Sequence, residues 1–251
     1  MSGIVAGSLA SRLRALTPAR VGLGRMGVSQ ETRDLLDFQQ SHALARDAVH
    51  ARIDSRGLAA EIASITGGPV LQIHSRCADR AMYLQRPDLG RALDDDSEET
   101  LKNARSDEGA DLVIVVADGL SALAVERHGP PLLRAWWPRL EGLHRLQVCV
   151  VEQGRVAIGD AIGEQLGAAL CVVLIGERPG LSSPDSLGAY ITWNPRVGRT
   201  DAERNCISNI RTDGLSYAQA AEQLEFVITE ARQRKLTGVS LKYTSTLLKK
   251  G

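Results

Sequence analysis

Residues 146–180, LQVCVVEQGRVAIGDAIGEQLGAALCVVLIGERPG, constrain the fold of this chain more than any other stretch. Two apolar runs rich in β-branched residues flank a short glycine-punctuated segment, which reads as strand, turn, helix and strand. Strands joined by such a crossover run parallel, and both of their ends reach one edge of the sheet. Ligands of open α/β sheets sit outside the carboxyl ends of the strands. A binding site is therefore expected where Glu177, Arg178, Pro179 and Gly180 leave the second run.

The same alternation extends on both sides. Val70–His74 and Leu112–Ala117 are apolar runs, the second so uniformly apolar that both of its faces must be covered. Residues 189–193 form a fifth candidate strand. Residues 78–85 and the acidic run LDDDSEETLKNARSDEG read as helical, the latter preceded by a loop. Upstream, Ser29 and Thr32 open a long helix in which Leu35, Leu36, Phe38, Ala43, Ala45 and Val49 recur at helical spacing. A second helix over residues 58–65 stops at Gly67, Gly68 and Pro69. The predicted class is α/β: a helical N-terminal domain over residues 1–66, then a Rossmann-like, mostly parallel sheet domain over residues 67–251. Residues 199–210, with Thr200 and Asp201 as caps, read as a helix carrying Cys206. Tyr217–Arg234 reads as the closing amphipathic helix. Residues 1–16 are expected to form a surface helix, and the residues from 242 onward a loose basic tail.

Composition narrows the function. Lys plus Arg and Asp plus Glu both number 30, so no bulk charge draws the chain to nucleic acid or to anionic lipid. No run approaches the roughly 20 apolar residues of a membrane span, and no secretory signal is visible at the start. Cys77, Cys149, Cys171 and Cys206 form no CxxC pair, which excludes zinc and iron–sulfur spacing and fits reduced cytoplasmic thiols. Cys149 and Cys171 are expected to pack in the core.

Several motifs fail in context. Gly22, Gly24 and Gly27 match GxGxxG, but no hydrophobic strand feeds them and a polar cap follows, so dinucleotide binding is rejected. Asp94, Asp95 and Asp96 lack the spacing and the glycine of a calcium loop. Ser121 follows a strand, yet Leu123 stands where a nucleophile elbow needs glycine, and a helix cap is the better reading. His128 reads as a terminal or surface histidine, and Trp136 with Trp137 as a domain or subunit contact. Gly159, Gly163 and Gly167 make a stripe on one helical face. That stripe implies close approach to a sheet strand or to a broad planar ligand. From these residues alone three functions stay open: a cofactor-binding enzyme subunit, a free-standing hydrolase, and a structural interaction protein.

The blocks TPARVGLGRMG, LLDFQQSHALARDAVH, SRCADRAMYLQRPDLGR, LVIVVADGLSA, GRVAIGDAIGEQLGA, LIGERPGLSSPDSLGAYITWNPR and ERNCISNIR choose among them. Together, from about residue 17 to 242, they closely resemble the small subunit of ethanolamine ammonia-lyase. The resemblance implies a hetero-oligomer in which a large subunit binds ethanolamine and carries the catalytic groups. The small subunit helps enclose adenosylcobalamin at the interface, and the products are acetaldehyde and ammonia. It implies cofactor contacts at Val156, Glu177 and Cys206, with no catalytic residue and no metal ligand in this chain. The lack of a DxHxxG string fits the family's base-on cofactor. Arg155, Arg178, Asn194 and Arg196 are further candidates by their place after strands. The glycine stripe becomes a candidate surface for the corrin face. Nucleic acid and membrane are not expected partners. The implied location is cytoplasmic, free or inside a bacterial microcompartment. The alternative is a structural subunit of a cofactor enzyme without ligand contacts.

Overall fold

Strand β4, Leu112–Ala117, is buried at every position and forms the spine of the computed structural model, which describes residues 12–17 and 19–241. The expectations for residues 1–11 and for the tail from 242 lie outside the described residues. Around β4 the sheet takes the order β3-β5-β4-β6-β7-β8, with β3 at Val70–His74, β5 at Leu146–Glu152, β6 at Leu170–Gly176, β7 at Leu187–Trp193 and β8 at Arg204–Ile210. The pairings β3/β5, β5/β4 and β4/β6 are parallel, and β6/β7 and β7/β8 are antiparallel. This bears out the α/β class with its mostly parallel sheet. The two runs read as parallel strands joined by a crossover, β5 and β6, run parallel and flank β4.

Ahead of the sheet, β1 (Arg25–Met26) and β2 (Ser29–Gln30) form a two-stranded hairpin. Its turn uses Gly27 at φ 66°, so the GxGxxG string serves a hairpin and not a strand-to-helix phosphate loop. Helices α1 (Thr32–His50) and α2 (Ser55–Thr66) follow. Further helices among the described residues are α3 (Arg80–Gln85), α4 (Asp95–Ala104), α5 (Ala122–Trp136), α6 (Ile158–Gln165) and α7 (Tyr217–Arg234). No helix among the described residues is long and apolar enough to cross a membrane.

The alternation of β4 side chains sorts the helices into layers. Leu112, Ile114 and Val116 face α2, α5 and α7, whereas Val113, Val115 and Ala117 face α4 and α6. From β4 the chain returns to β5 through α5 on one face; from β5 it crosses back over β4 to β6 through α6 on the other. A reversal of direction with a change of face is what right-handed crossovers require. Neighbouring strands whose exits part to opposite faces open a crevice beyond their carboxyl ends. Here the crevice lies between the exits of β4 and β5.

Three expectations are corrected. Residues 199–210 hold a 3-10 turn at Asp201–Glu203 and then strand β8, so Cys206 lies on a strand. Ala189 pairs with Ile207 and Leu187 with Ile210, which leaves one extra residue on β8, and Asn209 sits at φ 59°. That bulge turns Ile207 and Ile210 inward three residues apart, which imitates helical spacing. His128 is no surface residue: α5 continues through Pro130 and Pro131 to Trp136, and His128 is fully buried within it. Trp136 is also fully buried, in the core between helix and sheet, and only Trp137 is partly exposed.

Candidate functional site

Asp118 ends the apolar run of β4 and is fully buried behind the residues that line the crevice. Its carboxylate accepts from the Gly154 N–H at 3.1 Å and faces Nη1 of Arg80 at 3.3 Å. Burial pushes the carboxyl up to about 6, against the pull of Arg80. Arg80 also donates to Gly119 O at 2.8 Å and, from Nε, to Val49 O at 2.7 Å, which ties the end of α1 to the sheet edge. Tyr83 lies beside this pair and donates its hydroxyl to Gly154 O at 3.1 Å. The guanidinium carbons of Arg80 and Arg155 stand 4.7 and 4.2 Å from its ring centroid, so the ring is a shared platform for both cations.

The exits of the strands shape the rest. Gln153 leaves β5 at φ 57°, a left-handed conformation that is rare outside glycine, and swings Arg155 and Val156 over the sheet edge. Gly119, at φ 56°, packs so closely on the Gly176 carbonyl that no Cβ fits. The result is a depression of about 400 Å³ lined by Tyr83, Arg155, Val156, Glu177, Arg178 and Tyr190, among others. A second depression of about 480 Å³ shares Arg155, Val156 and Tyr190 and extends toward Arg199 and Arg204.

Val156 and Glu177 therefore meet in one depression. Glu177 is held by the Ser186 hydroxyl at 2.5 Å and the Asn209 N–H at 3.2 Å, both donating to Oε2. The Val156 carbonyl accepts from the Gly159 N–H at 3.1 Å, which leaves one lone pair for a further donor. Cys206 is exposed on β8 and paired across the strands with Tyr190, whose ring lines the depressions. Desolvation raises the Cys206 thiol, and its hydrogen bond with Tyr190 opposes that rise. Cys206 adjoins the site through Tyr190 and does not itself line it.

Arg155 and Arg178 line the site as their strand-end positions suggested. Asn194 and Arg196 do not. They follow β7, which runs antiparallel, so Trp193 pairs with Leu170 at the amino end of β6 and Asn194 donates to Ala169 O at 2.8 Å. The glycine stripe is corrected as well. Gly159 and Gly163 are buried, Gly159 against Val173 and Cys171 and Gly163 against Pro195, so the stripe seats α6 on its neighbours and offers no ligand surface.

Ser121 is a helix cap. It accepts from the Ala124 N–H at 3.3 Å and donates to Pro184 O at 2.9 Å, a carbonyl that cannot take its proton. Among the described residues no cluster of His, Cys, Asp or Glu could hold a metal ion. Asp94 caps α4 by accepting from the Ser97 N–H at 2.9 Å.

Sequence reading missed Asp118, Arg80, Tyr83 and Tyr190. One signal was available, an aspartate directly ending a strand buried on both faces. Arg80 Nη2, Gln153 Oε1 and Arg155 Nε are buried near Asp118 and Tyr83 without a hydrogen-bond partner. Each such atom costs about 1–3 kcal/mol, a penalty that a polar ligand or a covering chain can relieve.

Comparison with known proteins gives one family. A model of the family described as "Ethanolamine ammonia-lyase light chain (EutC)" matches residues 8–242. The ethanolamine ammonia-lyase small subunit of Pseudomonas syringae pv. tomato is 56% identical over 234 residues, covering 92% of this chain and 81% of that protein. The proteins of the same name from Pseudomonas putida GB-1 and Pseudomonas aeruginosa LESB58 are also 56% identical, covering 92% of this chain and 86% and 85% of their own lengths. This chain belongs to the ethanolamine ammonia-lyase light chain family.

Proposed function

We propose that the carboxyl edge of the sheet is one wall of an adenosylcobalamin site that the large subunit of ethanolamine ammonia-lyase completes. In this reading a helical N-terminal domain, residues 1–66, precedes a cofactor-binding sheet domain, residues 67–251. The observation that carries it is the meeting of Val156 and Glu177 in one depression, with Tyr190 beside them bearing Cys206 as its cross-strand partner.

The donor set fits such a ligand. The corrin is fringed by amides, each with N–H donors and a carbonyl acceptor. Glu177 and the free lone pair of Val156 O accept, and Arg155 and Arg178 donate. The unpartnered Nε of Arg155, which lines both depressions, adds a further donor. Among the described residues no histidine lines either depression.

When bound, adenosylcobalamin supplies the radical chemistry that converts ethanolamine to acetaldehyde and ammonia. The residues of this chain bind and orient. Tyr83, stacked between Arg80 and Arg155, holds the Arg155 guanidinium in place over the edge. Ser186 and Asn209 fix the Glu177 carboxylate, which then loses little freedom on accepting from a ligand amide. Substrate handling is left to the large subunit.

Reconstitution tests the reading. The chain mixed with its large subunit should give cobalamin-dependent acetaldehyde, and the chain alone none. Glu177→Gln should raise the apparent KM for adenosylcobalamin about tenfold or more, as expected when a charged acceptor is lost. Activity from the isolated chain would overturn the division of labour, and an unchanged KM would remove Glu177 from the site.

A further inference from the structure

The connection from β6 to β7 carries Glu177 out of the sheet and returns at Ser186. Its ends are tied together, the Glu177 N–H donating to Ser186 O at 2.9 Å and the Ser186 hydroxyl to Glu177 Oε2 at 2.5 Å. The returning limb is tied to α5. Ser121 donates to Pro184 O at 2.9 Å, and Arg127 Nη1 lies 2.5 Å from Asp185 Oδ2. His128 Nε2 approaches the same oxygen at 3.3 Å, and its Nδ1 lies 2.8 Å from the Tyr217 hydroxyl on α7.

These contacts settle the tautomer. Burial holds the His128 imidazole below its ordinary pKa, so the ring is neutral at pH 7 and carries one N–H. Asp185, its carboxyl held low by Arg127 and His128 against the effect of burial, only accepts. The proton therefore sits on Nε2 and points at Asp185, and the Tyr217 hydroxyl donates to Nδ1. One arrangement satisfies all three groups, and none of them lines either depression.

We infer that His128, Asp185 and Tyr217 are positioning residues that lock the 177–186 connection and thereby aim the Glu177 carboxylate into the depression. Asp185 is the chain neighbour of Ser186, so fixing one fixes the other, and Ser186 grips Glu177 through two hydrogen bonds. The inference rests on the proposed role of Glu177 in cofactor binding.

The test uses the complex reconstituted with the large subunit and the variants Tyr217→Phe and Asp185→Asn, each also combined with Glu177→Gln. Tyr217→Phe keeps the ring and removes only the hydroxyl, so the fold is preserved. Binding of cyanocobalamin is read by absorption after gel filtration, and amide exchange of the 177–187 peptides by mass spectrometry. Each single variant should weaken binding about three- to tenfold, the worth of one lost hydrogen bond, and speed exchange in that segment. Neither should weaken binding further in the Glu177→Gln background. In turnover, the apparent KM for adenosylcobalamin should rise by the same factor while kcat moves less. Full penalties persisting in the Glu177→Gln background would overturn the inference, as would unchanged binding in both single variants. Weak binding by Glu177→Gln with normal binding by the other two would leave the cofactor reading standing and remove only the positioning role. Normal binding by Glu177→Gln itself would remove both.

Discussion

Asp160 and Arg204 face each other through two parallel hydrogen bonds of 2.7 Å, with their side chains 3% and 2% exposed. The pair joins the first turn of α6 to the start of β8, and Arg204 adds bonds to Thr192 Oγ1 and Arg199 O. It thus fastens the antiparallel half of the sheet to the crossover that shapes the site. Burial raises the Asp160 carboxyl in spite of Arg204, so the pair depends on mutual compensation.

Arg204→Ala should therefore destabilise the chain by about 3–5 kcal/mol, because a buried carboxylate is left alone. The loss should shrink as pH falls, since the abandoned Asp160 can then take up a proton. Urea unfolding at pH 8 and pH 5 measures both effects, and an equal loss at the two values would contradict the account.

Asp118 predicts a pH dependence of its own. Its folded value, about 6, lies above the ordinary 3.8, so between these values the native chain holds a proton that the unfolded chain has released. Stability from this group is present below that window and is lost as pH rises through it, by on the order of 2–3 kcal/mol. Asp118→Asn should flatten the slope of urea midpoint against pH across that window relative to the parent chain.

The seating of α6 is testable without cofactor. Alanine favours a helix over glycine by about 1 kcal/mol, but a Cβ at Gly159 would collide with Val173 and press on Cys171 at 3.0 Å. Overpacking of this kind costs about 1–3 kcal/mol, so Gly159→Ala should lower the thermal midpoint of the isolated chain. A raised midpoint would show room above Gly159 that the packing does not provide.

The thiols should separate cleanly. Cys77, Cys149 and Cys171 are buried, and burial pushes Cys149 up to about 12 and raises the other two as well. Only Cys206 should react with N-ethylmaleimide in the native chain, and slowly for its exposure, because its own thiol is raised. Peptide mass spectrometry before and after unfolding reports this, and native labelling of Cys149 or Cys171 would contradict the packing.

Local pattern was enough for the strands of the parallel half. The runs Val70–His74 and Leu112–Ala117 appear with the expected ends, the second because a strand buried on both faces must be apolar throughout. Tyr217–Arg234 was legible for a similar reason, a helix with one buried face and a capping box at Ser216 and Gln219. The bulged edge strand was not. Its partner fixes which residues turn inward, and Asn209 changes the period at the point where a reader looks for one.

The site divides in the same way. Glu177 and Val156 follow apolar strands that periodicity can locate, and the resemblance to known small subunits makes both expected cofactor contacts. Their meeting in one depression, the failure of Asn194 and Arg196 to join them, and the burial of His128 depend on strand order, strand direction and helix length. Hydrophobic pattern specifies which segments are buried and at what period. It carries no information about which buried segment lies beside which, because burial is non-directional, whereas hydrogen bonds and buried charges such as Asp118–Arg80 and Asp160–Arg204 demand particular partners.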